Sequence, residues 1–171
     1  MIVVMAGLPG SGKSTIATAL AHRLSAAVLN KDTIRHALFA PLDVEYSREQ
    51  DDFVMDLMLQ TAQYLWLRDP SRVVILDGRP FSRASQIDRV LKFARGLQQP
   101  ARILECVCSD KSARQRLEDQ HATAEHPAAN RGYSLYLEVK ARFEPITQPK
   151  TVIDTDQPLE TCVNLAMNAL C

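Results

Sequence analysis

Short apolar runs alternate along the chain with stretches in which apolar residues recur every three or four positions. Ile2 to Met5 is an unbroken apolar run, the pattern of a strand buried on both faces. Behind it Ile16, Leu20 and Leu24 recur at helical spacing, with Ala17 and Ala21 beside them. Ala26 to Leu29 reads as a second strand. A short helix starting at Asn30 or Asp32 runs to Phe39 and is closed by Pro41. Ser47-Arg48-Glu49-Gln50 has the form of a capping box, and Val54, Leu57, Met58, Thr61 and Leu65 predict the buried face of a long helix ending near Asp69-Pro70. Val73 to Leu76 and Ala101 to Val107 read as strands, with a helix on Ile87, Leu91 and Ala94 between them that Gly96 stops. Ser109-Asp110 caps a helix carrying Ala113, Arg116 and Leu117. Residues 121–132 lack periodicity and read as a mobile segment. A helix from about Ser134 to Phe143, a strand over Thr151 to Ile153 and a helix on Leu159, Val163, Ala166 and Leu170 complete the pattern. Strands alternating with helices predict a parallel sheet covered on both faces, with right-handed crossovers. No repeat, low-complexity tract or linker interrupts it, so the 171 residues are expected to form one domain.

Composition narrows the class. The chain is 46% hydrophobic and 23% charged, ordinary for a protein with a full core. Twenty Lys and Arg balance twenty Asp and Glu, which disfavours a dedicated nucleic-acid binder while leaving a local basic groove open. No run approaches the ~18 apolar residues of a membrane span, and the first residues lack the basic and apolar regions of a signal peptide. Cys106, Cys108, Cys162 and Cys171 show no metal-ligand spacing. Cys106 and Cys108 share one face of a strand, so they are not placed to bond to each other. Read as reduced thiols, they point to a cytoplasmic protein.

The strongest chemical signal is Gly7-Leu8-Pro9-Gly10-Ser11-Gly12-Lys13-Ser14, followed by Thr15. It satisfies G-x-x-x-x-G-K-[ST] between a strand and a helix, the setting of a phosphate-binding loop. The glycines admit positive φ and let the backbone approach an anion, and the amides of Gly7, Pro9-Gly10, Ser11, Gly12 and their successors gather at the positive end of a helix. Proline contributes only its fixed backbone to that set, since it has no N–H. Lys13 is expected to reach the β- and γ-phosphates of ATP. Ser14, with Thr15 beside it, is expected to offer its hydroxyl to Mg²⁺.

Three further groups accompany the loop. Val73 to Leu76 ends in Asp77, where a parallel strand's carboxyl end borders the ligand crevice; Asp77 would hold Mg²⁺, or else cap a local turn with Gly78. Asp32 and Arg35 lie three apart on one helical face. Asp32 could take the proton of an attacking hydroxyl while Arg35 orients the acceptor, or the two serve as N-cap and surface charge. In phosphoryl transfer the nucleophile loses its proton late, so even an ordinary carboxylate suffices for positioning. Arg114, Arg116 and Arg131 bracket the non-periodic segment, and at least one is expected to close over the transferring phosphoryl. Arg79 and Arg83 flank Asp77 as candidates for binding an anionic acceptor. His121 and His126, five apart, read as loop residues rather than metal ligands. Phe39, Tyr46 and Phe81 read as core residues first and aromatic platforms second.

Gly7 to Thr15, Asn30-Lys31-Asp32-Thr33-Ile34-Arg35 and Val74-Ile75-Leu76-Asp77-Gly78 together resemble the small P-loop kinases. The resembling branch contains polynucleotide 5′-hydroxyl kinases, adenylylsulfate kinases, gluconate kinases and zeta-toxin-like proteins. Arg142-Phe143-Glu144-Pro145-Ile146 is similar to a segment that recurs there after the lid. The resemblance spans nearly the whole chain and implies an α/β fold with a five-stranded parallel sheet of nucleoside-kinase type and a lid near 121–132. It also implies an acceptor site matched by Asp32 and Arg35, and a catalytic lid arginine that maps best onto Arg116. Many relatives have a second arginine four positions later; here Gln120 stands there, and Arg131 is the candidate to compensate. The Phe-Ile-Ser-Pro-type segment of adenylylsulfate kinases is not reproduced by Asp77 to Ser82. The implied activity is transfer of the γ-phosphoryl of ATP to a hydroxyl of a small molecule or nucleotide. A polynucleotide kinase, an adenylylsulfate kinase and a regulatory NTPase without an acceptor stay open beside it.

Overall fold

The computed structural model describes residues 1–123 and 132–170. Five strands, β1 (Ile2–Ala6), β2 (Ala27–Asn30), β3 (Val74–Asp77), β4 (Ala101–Val107) and β5 (Thr151–Asp154), form one sheet in the order β2-β3-β1-β4-β5. Every pairing is parallel, as the alternation of strands and helices requires. The helices are α1 (Lys13–Leu24), α2 (Lys31–Leu38), α3 (Arg48–Arg68), α4 (Ala84–Gly96), α5 (Asp110–Thr123), α6 (Tyr133–Ala141) and α7 (Leu159–Leu170).

The period of two along β1 divides the core. Ile2, Val4 and Ala6 join Val74 and Leu76 against α3 and α4. Val3 and Met5 join Ile75, Leu104 and Ile153 against α1 and α7. Each fully buried Val, Leu or Ile is worth about 1.5–3 kcal/mol, so the two cores make the sheet a rigid frame. The helix after β1 therefore lies on one face and the helix after β3 on the other. Their strands are neighbours, and a crevice opens between the carboxyl ends of β1 and β3, the ligand position of open α/β sheets.

Several local expectations shift. The buried face of α3 is Val54, Met55, Met58, Leu59, Ala62 and Trp66, with Thr61 exposed and Leu57 and Leu65 only partly covered. The helix lies against both the sheet and α4, so a broader stripe is buried than one row. Only half of the capping box forms. Ser47 Oγ accepts from the Gln50 amide at 3.2 Å, but the Gln50 side chain turns back to Glu45 N (2.8 Å) and Asp43 O (2.9 Å). Gly96 closes α4 from inside as its last residue, and Gln98 takes the left-handed turn at φ 54°. α5 continues to Thr123, into the span expected to be non-periodic. Cys106 and Cys108 part company: Cys106 belongs to the α1/α7 core, while Cys108 packs toward a small cluster of α5 and α6. Among the described residues no helix is long and apolar enough to cross a membrane.

Candidate active site

The loop from Gly7 to Gly12 leaves β1 at the crevice. At Gly7, with φ 130°, a Cβ would lie 2.2 Å from the carbonyl oxygen of Cys106, so only glycine allows the loop to pass so close to β4. No side chain caps α1 and no acidic residue occupies its first turn, which leaves the amides at its positive end for an anion. Lys13, almost wholly buried, donates to the carbonyl oxygens of Gly7 (2.9 Å) and Leu8 (2.6 Å). Its ammonium thus sits within the curve of the loop. Ser11 is buried, Ser14 is half-buried and Thr15 is exposed.

Three cavities touch this loop, one of them, about 310 Å³, against Gly7, Leu8, Ser11 and Cys108 on the side of α6. Of the other two, the first, about 390 Å³, is lined by Gly10, Gly12, Lys13, Ser14 and Thr15 on one side and by Arg116, Gln120, Thr155 and Gln157 on the other. The second, about 240 Å³, runs from Pro9 to Lys31, Asp32, Tyr46, Asp51 and Arg79. One loop therefore separates a donor-sized space from a smaller one that contains the Asp32 carboxylate.

The second cavity is built on a charge network. Arg35 is fully buried; it donates to Asp32 Oδ1 at 3.0 Å, and its other terminal nitrogen donates to Asp51. Lys31 donates to Asp51 at 2.6 Å and lies 3.8 Å from Asp32. Arg35 does not line the cavity. Enclosed behind the carboxylates, with the Tyr46 ring 5.2 Å away, it reaches the cavity only through Asp32 and Asp51. The cations that do face the cavity are Lys31, Arg48, Arg79, Arg83 and Arg142.

Asn30 ties this network to Asp77. Its Oδ1 accepts from Asp32 N and Thr33 N, both at 3.0 Å, and so caps α2; its Nδ2 donates to Asp77 Oδ2 at 2.8 Å. Asp77 Oδ1 is buried and has no hydrogen-bond partner among the described residues. A buried carboxylate oxygen with open lone pairs suits a hard cation or its bound water, and the Asp77 carboxylate offers one. The chain after Asp77 is bent to fit. Gly78 has φ 87°, and Phe81, 1% exposed in the core, is held at φ 54°. Strain of this kind persists only where the surroundings impose it. Here Pro80 O accepts from Gly7 N at 3.0 Å and Ser82 O accepts from Glu144 N at 2.9 Å.

Arg116 is brought to the loop, but as a brace. It donates to Gly10 O (3.3 Å), Thr155 Oγ1 (2.9 Å) and Thr155 O (2.7 Å). Thr155 Oγ1 in turn donates to Ser11 O at 3.1 Å. Arg114 pairs with Glu118 at 2.7 Å on the exposed face and lines none of these cavities. Arg131, and most of the lid expected near 121–132, lie outside the described residues. Burial pushes the Cys106 thiol up to about 12, in keeping with an inert core residue. Phe39 packs edge-on to Phe53, while Tyr46 lies at the cavity wall.

Sequence reasoning names Lys31 and Arg142 only within motifs, with no role of their own, and does not mark Asp51 or Thr155. Lys31 adjoins Asp32 in the motif and was within reach. Asp51 lies on α3 and Thr155 after β5, and nothing local marks them.

A family model described as an AAA domain matches residues 2–146. No curated protein is recognisably similar in sequence. Among solved structures, a candidate kinase from Chloroflexus aurantiacus J-10-fl is 21% identical with TM-score 0.77, over 99% of this chain and 98% of that one. A gluconokinase from Sinorhizobium meliloti 1021 is 18% identical with TM-score 0.67, over 98% and 90%. The Mycobacterium tuberculosis APS kinase CysC, in complex with AMPPNP and APS, is 17% identical with TM-score 0.69, over 99% and 96%. At these identities the likeness is one of fold, the α/β fold of small P-loop kinases.

Proposed function

The chain belongs to the AAA-domain family, and we propose that it is an ATP-dependent kinase moving the γ-phosphoryl group to a hydroxyl of a small-molecule or nucleotide acceptor. One observation carries this reading: a single phosphate loop divides a cavity holding Lys13 and the α1 N-terminus from a smaller one holding the Asp32 carboxylate. A nucleotide hydrolase needs the first cavity only. The second, with two carboxylates fixed by two cations, is structure that a bare hydrolase has no use for.

In this reading the loop amides and Lys13 hold the β- and γ-phosphates of ATP. Ser14 and Asp77 would hold Mg²⁺, which neutralises charge on the donor phosphates. Asp32 accepts a hydrogen bond from the acceptor hydroxyl and aims it at the phosphorus. The oxygen–phosphorus bond forms as the β–γ bridging bond breaks, ADP leaves, and the hydroxyl proton passes to Asp32. Arg35 holds Asp32 in place and is thus a positioning residue, while Arg79 faces the acceptor. Arg116 braces the loop against Thr155, and Arg131 is the arginine assigned to the transferring group. The site of action would be the cytoplasm, where Cys106, Cys108 and Cys162 stay reduced.

The test is a metabolite pool incubated with Mg·ATP and screened for a mass gain of one phosphate. Transfer should disappear in Lys13→Ala, and Asp32→Asn should lower turnover by ~10²–10⁴-fold while ATP still binds. ATP consumption that no acceptor pool ever accelerates would overturn the kinase reading in favour of a hydrolase.

A further inference from the structure

The cavity on the Asp32 side is lined by five cations, Lys31, Arg48, Arg79, Arg83 and Arg142, against two carboxylates, Asp32 and Asp51. Adding Arg35 and Asp52, which contact its walls, makes six against three. In a chain of zero net formal charge this is a local concentration of positive charge. The pairings show where the excess lies. Lys31 and Arg35 are taken up by Asp51 and Asp32. Arg79 and Arg48 share the single carboxylate of Asp52, at 2.7 and 3.8 Å. Arg83 and Arg142 make no ion pair among the described residues. The nearby Glu144 is spent on the start of α4, where it accepts from Ala84 N at 2.7 Å.

A second observation is independent of the count. Arg79 is 5% exposed, and its Nε is buried without a hydrogen-bond partner among the described residues. An orphaned buried donor on a guanidinium is costly unless something accepts from it. Arg79 is fixed on one side by Asp52 and lines the cavity on the other, so an oxyanion offering two oxygens is the group its fork suits.

We propose that the acceptor carries, besides its reacting hydroxyl, an oxyanion group (phosphate, sulfate or carboxylate) bound by Arg79, Arg83 and Arg142. This rests on the kinase reading for the hydroxyl and on the arginines alone for the anion. The enclosed part of the cavity, about 240 Å³, has room for one compact hydroxyl- and oxyanion-bearing group.

Two arms test it. In the first, Mg·ADP fills the phosphate loop and inorganic sulfate is titrated while the arginine Nε–H resonances are followed. The Arg79 resonance should shift saturably, and Arg83→Gln with Arg142→Gln should weaken sulfate binding roughly 10- to 100-fold, the worth of one or more charge-assisted hydrogen bonds. These two side chains are not buried, so the variants test binding without the folding risk of Arg79→Gln. No saturable shift would overturn the oxyanion site. If Mg·ADP itself fails to bind, the kinase reading falls, and the sulfate titration still decides the anion. In the second arm, neutral sugars and nucleosides are compared with sugar acids, sugar phosphates and nucleoside monophosphates as acceptors. The charged members should be preferred, and the double variant should raise their KM by the same factor with the KM for ATP unchanged. Equal use of neutral acceptors would overturn the proposal. So would preference for an oligonucleotide end with steep salt dependence, which would mark a polynucleotide groove.

Discussion

Replacing Arg35 by Met separates two roles for this residue. A residue that grips the acceptor should change KM and little else. A residue that holds the site together should change stability first. The guanidinium is 0% exposed and joins Asp32 to Asp51, so Met keeps the bulk of the stem and removes both bonds. Breaking a buried ion pair from one side typically costs about 3–5 kcal/mol. Here Asp51 retains Lys31 at 2.6 Å and its side chain is 26% exposed, which relieves part of the penalty. The lower end applies, about 3 kcal/mol. For a chain of this length each kcal/mol moves Tm by ~2–4 °C, so thermal unfolding should begin ~6–12 °C earlier. Combining Arg35→Met with Asp51→Asn removes one of the stranded carboxylates. The double variant should therefore lose at least ~1 kcal/mol less than the two single losses together. Turnover should fall with stability, because Asp32 is no longer held. Calorimetry of the four proteins and steady-state kinetics of the folded ones supply both readouts. A Tm within about 1 °C of the parent, together with a raised acceptor KM, would refute the positioning role and restore the gripping role that the Asp32–Arg35 spacing suggests.

Gly78→Ala should destabilise by at least ~1–2 kcal/mol in urea, because φ is 87° and the new Cβ would stand 2.9 Å from the backbone nitrogen of Lys31; an unchanged midpoint would contradict that packing. Arg116→Ala should raise the KM for ATP at least as much as it lowers kcat, because the side chain braces Gly10 and Thr155; a fall in kcat with KM unchanged would place Arg116 on the transferring phosphoryl instead. Cys106 should erode alkaline stability. Burial raises its pKa from 9.0 to about 12, so above pH 9 the unfolded chain sheds a proton that the folded chain keeps. That stabilisation is whole below pH 9 and is lost as pH rises toward 12; Cys106→Ala should flatten the decline over that window, and an unaltered slope would remove Cys106 as its cause.

The layers were legible in the sequence because strand and helix periods are local. An apolar run before Gly7 and another before Asp77 are enough to mark two buried parallel strands, and the loop motif announces its own anion site. Asp32 and Asp77 are legible for the same reason, Asp77 closing one strand and Asp32 lying just beyond the end of another. The orientation of Arg35 was not legible. Whether an arginine three residues after an aspartate faces a ligand or turns inward depends on what α3 places behind it, and Asp51 is 16 residues away. Thr155 is more distant still: it meets Arg116 only because β5 docks beside β4, bringing residues 39 apart within 2.9 Å. The buried face of α3 is wider than its single apolar row suggests because the helix packs against both the sheet and α4.

The donor and acceptor sides are not independent modules. Asn30 stands opposite Asp77 in the β2–β3 register, and its one amide group serves both. The oxygen fixes the start of α2, and so the backbone that carries Lys31, Asp32 and Arg35; the nitrogen occupies one oxygen of Asp77 and leaves the other open. Asparagine carries its acceptor and its donor on two separate atoms of one short side chain; aspartate has no donor, and in serine or threonine a single oxygen must serve both partners. Swapping it for aspartate would keep the cap and set two carboxylates against each other. The pairing of two short strands thus sets the spacing between the Asp77 and Asp32 carboxylates, and loops alone could not hold that spacing as firmly.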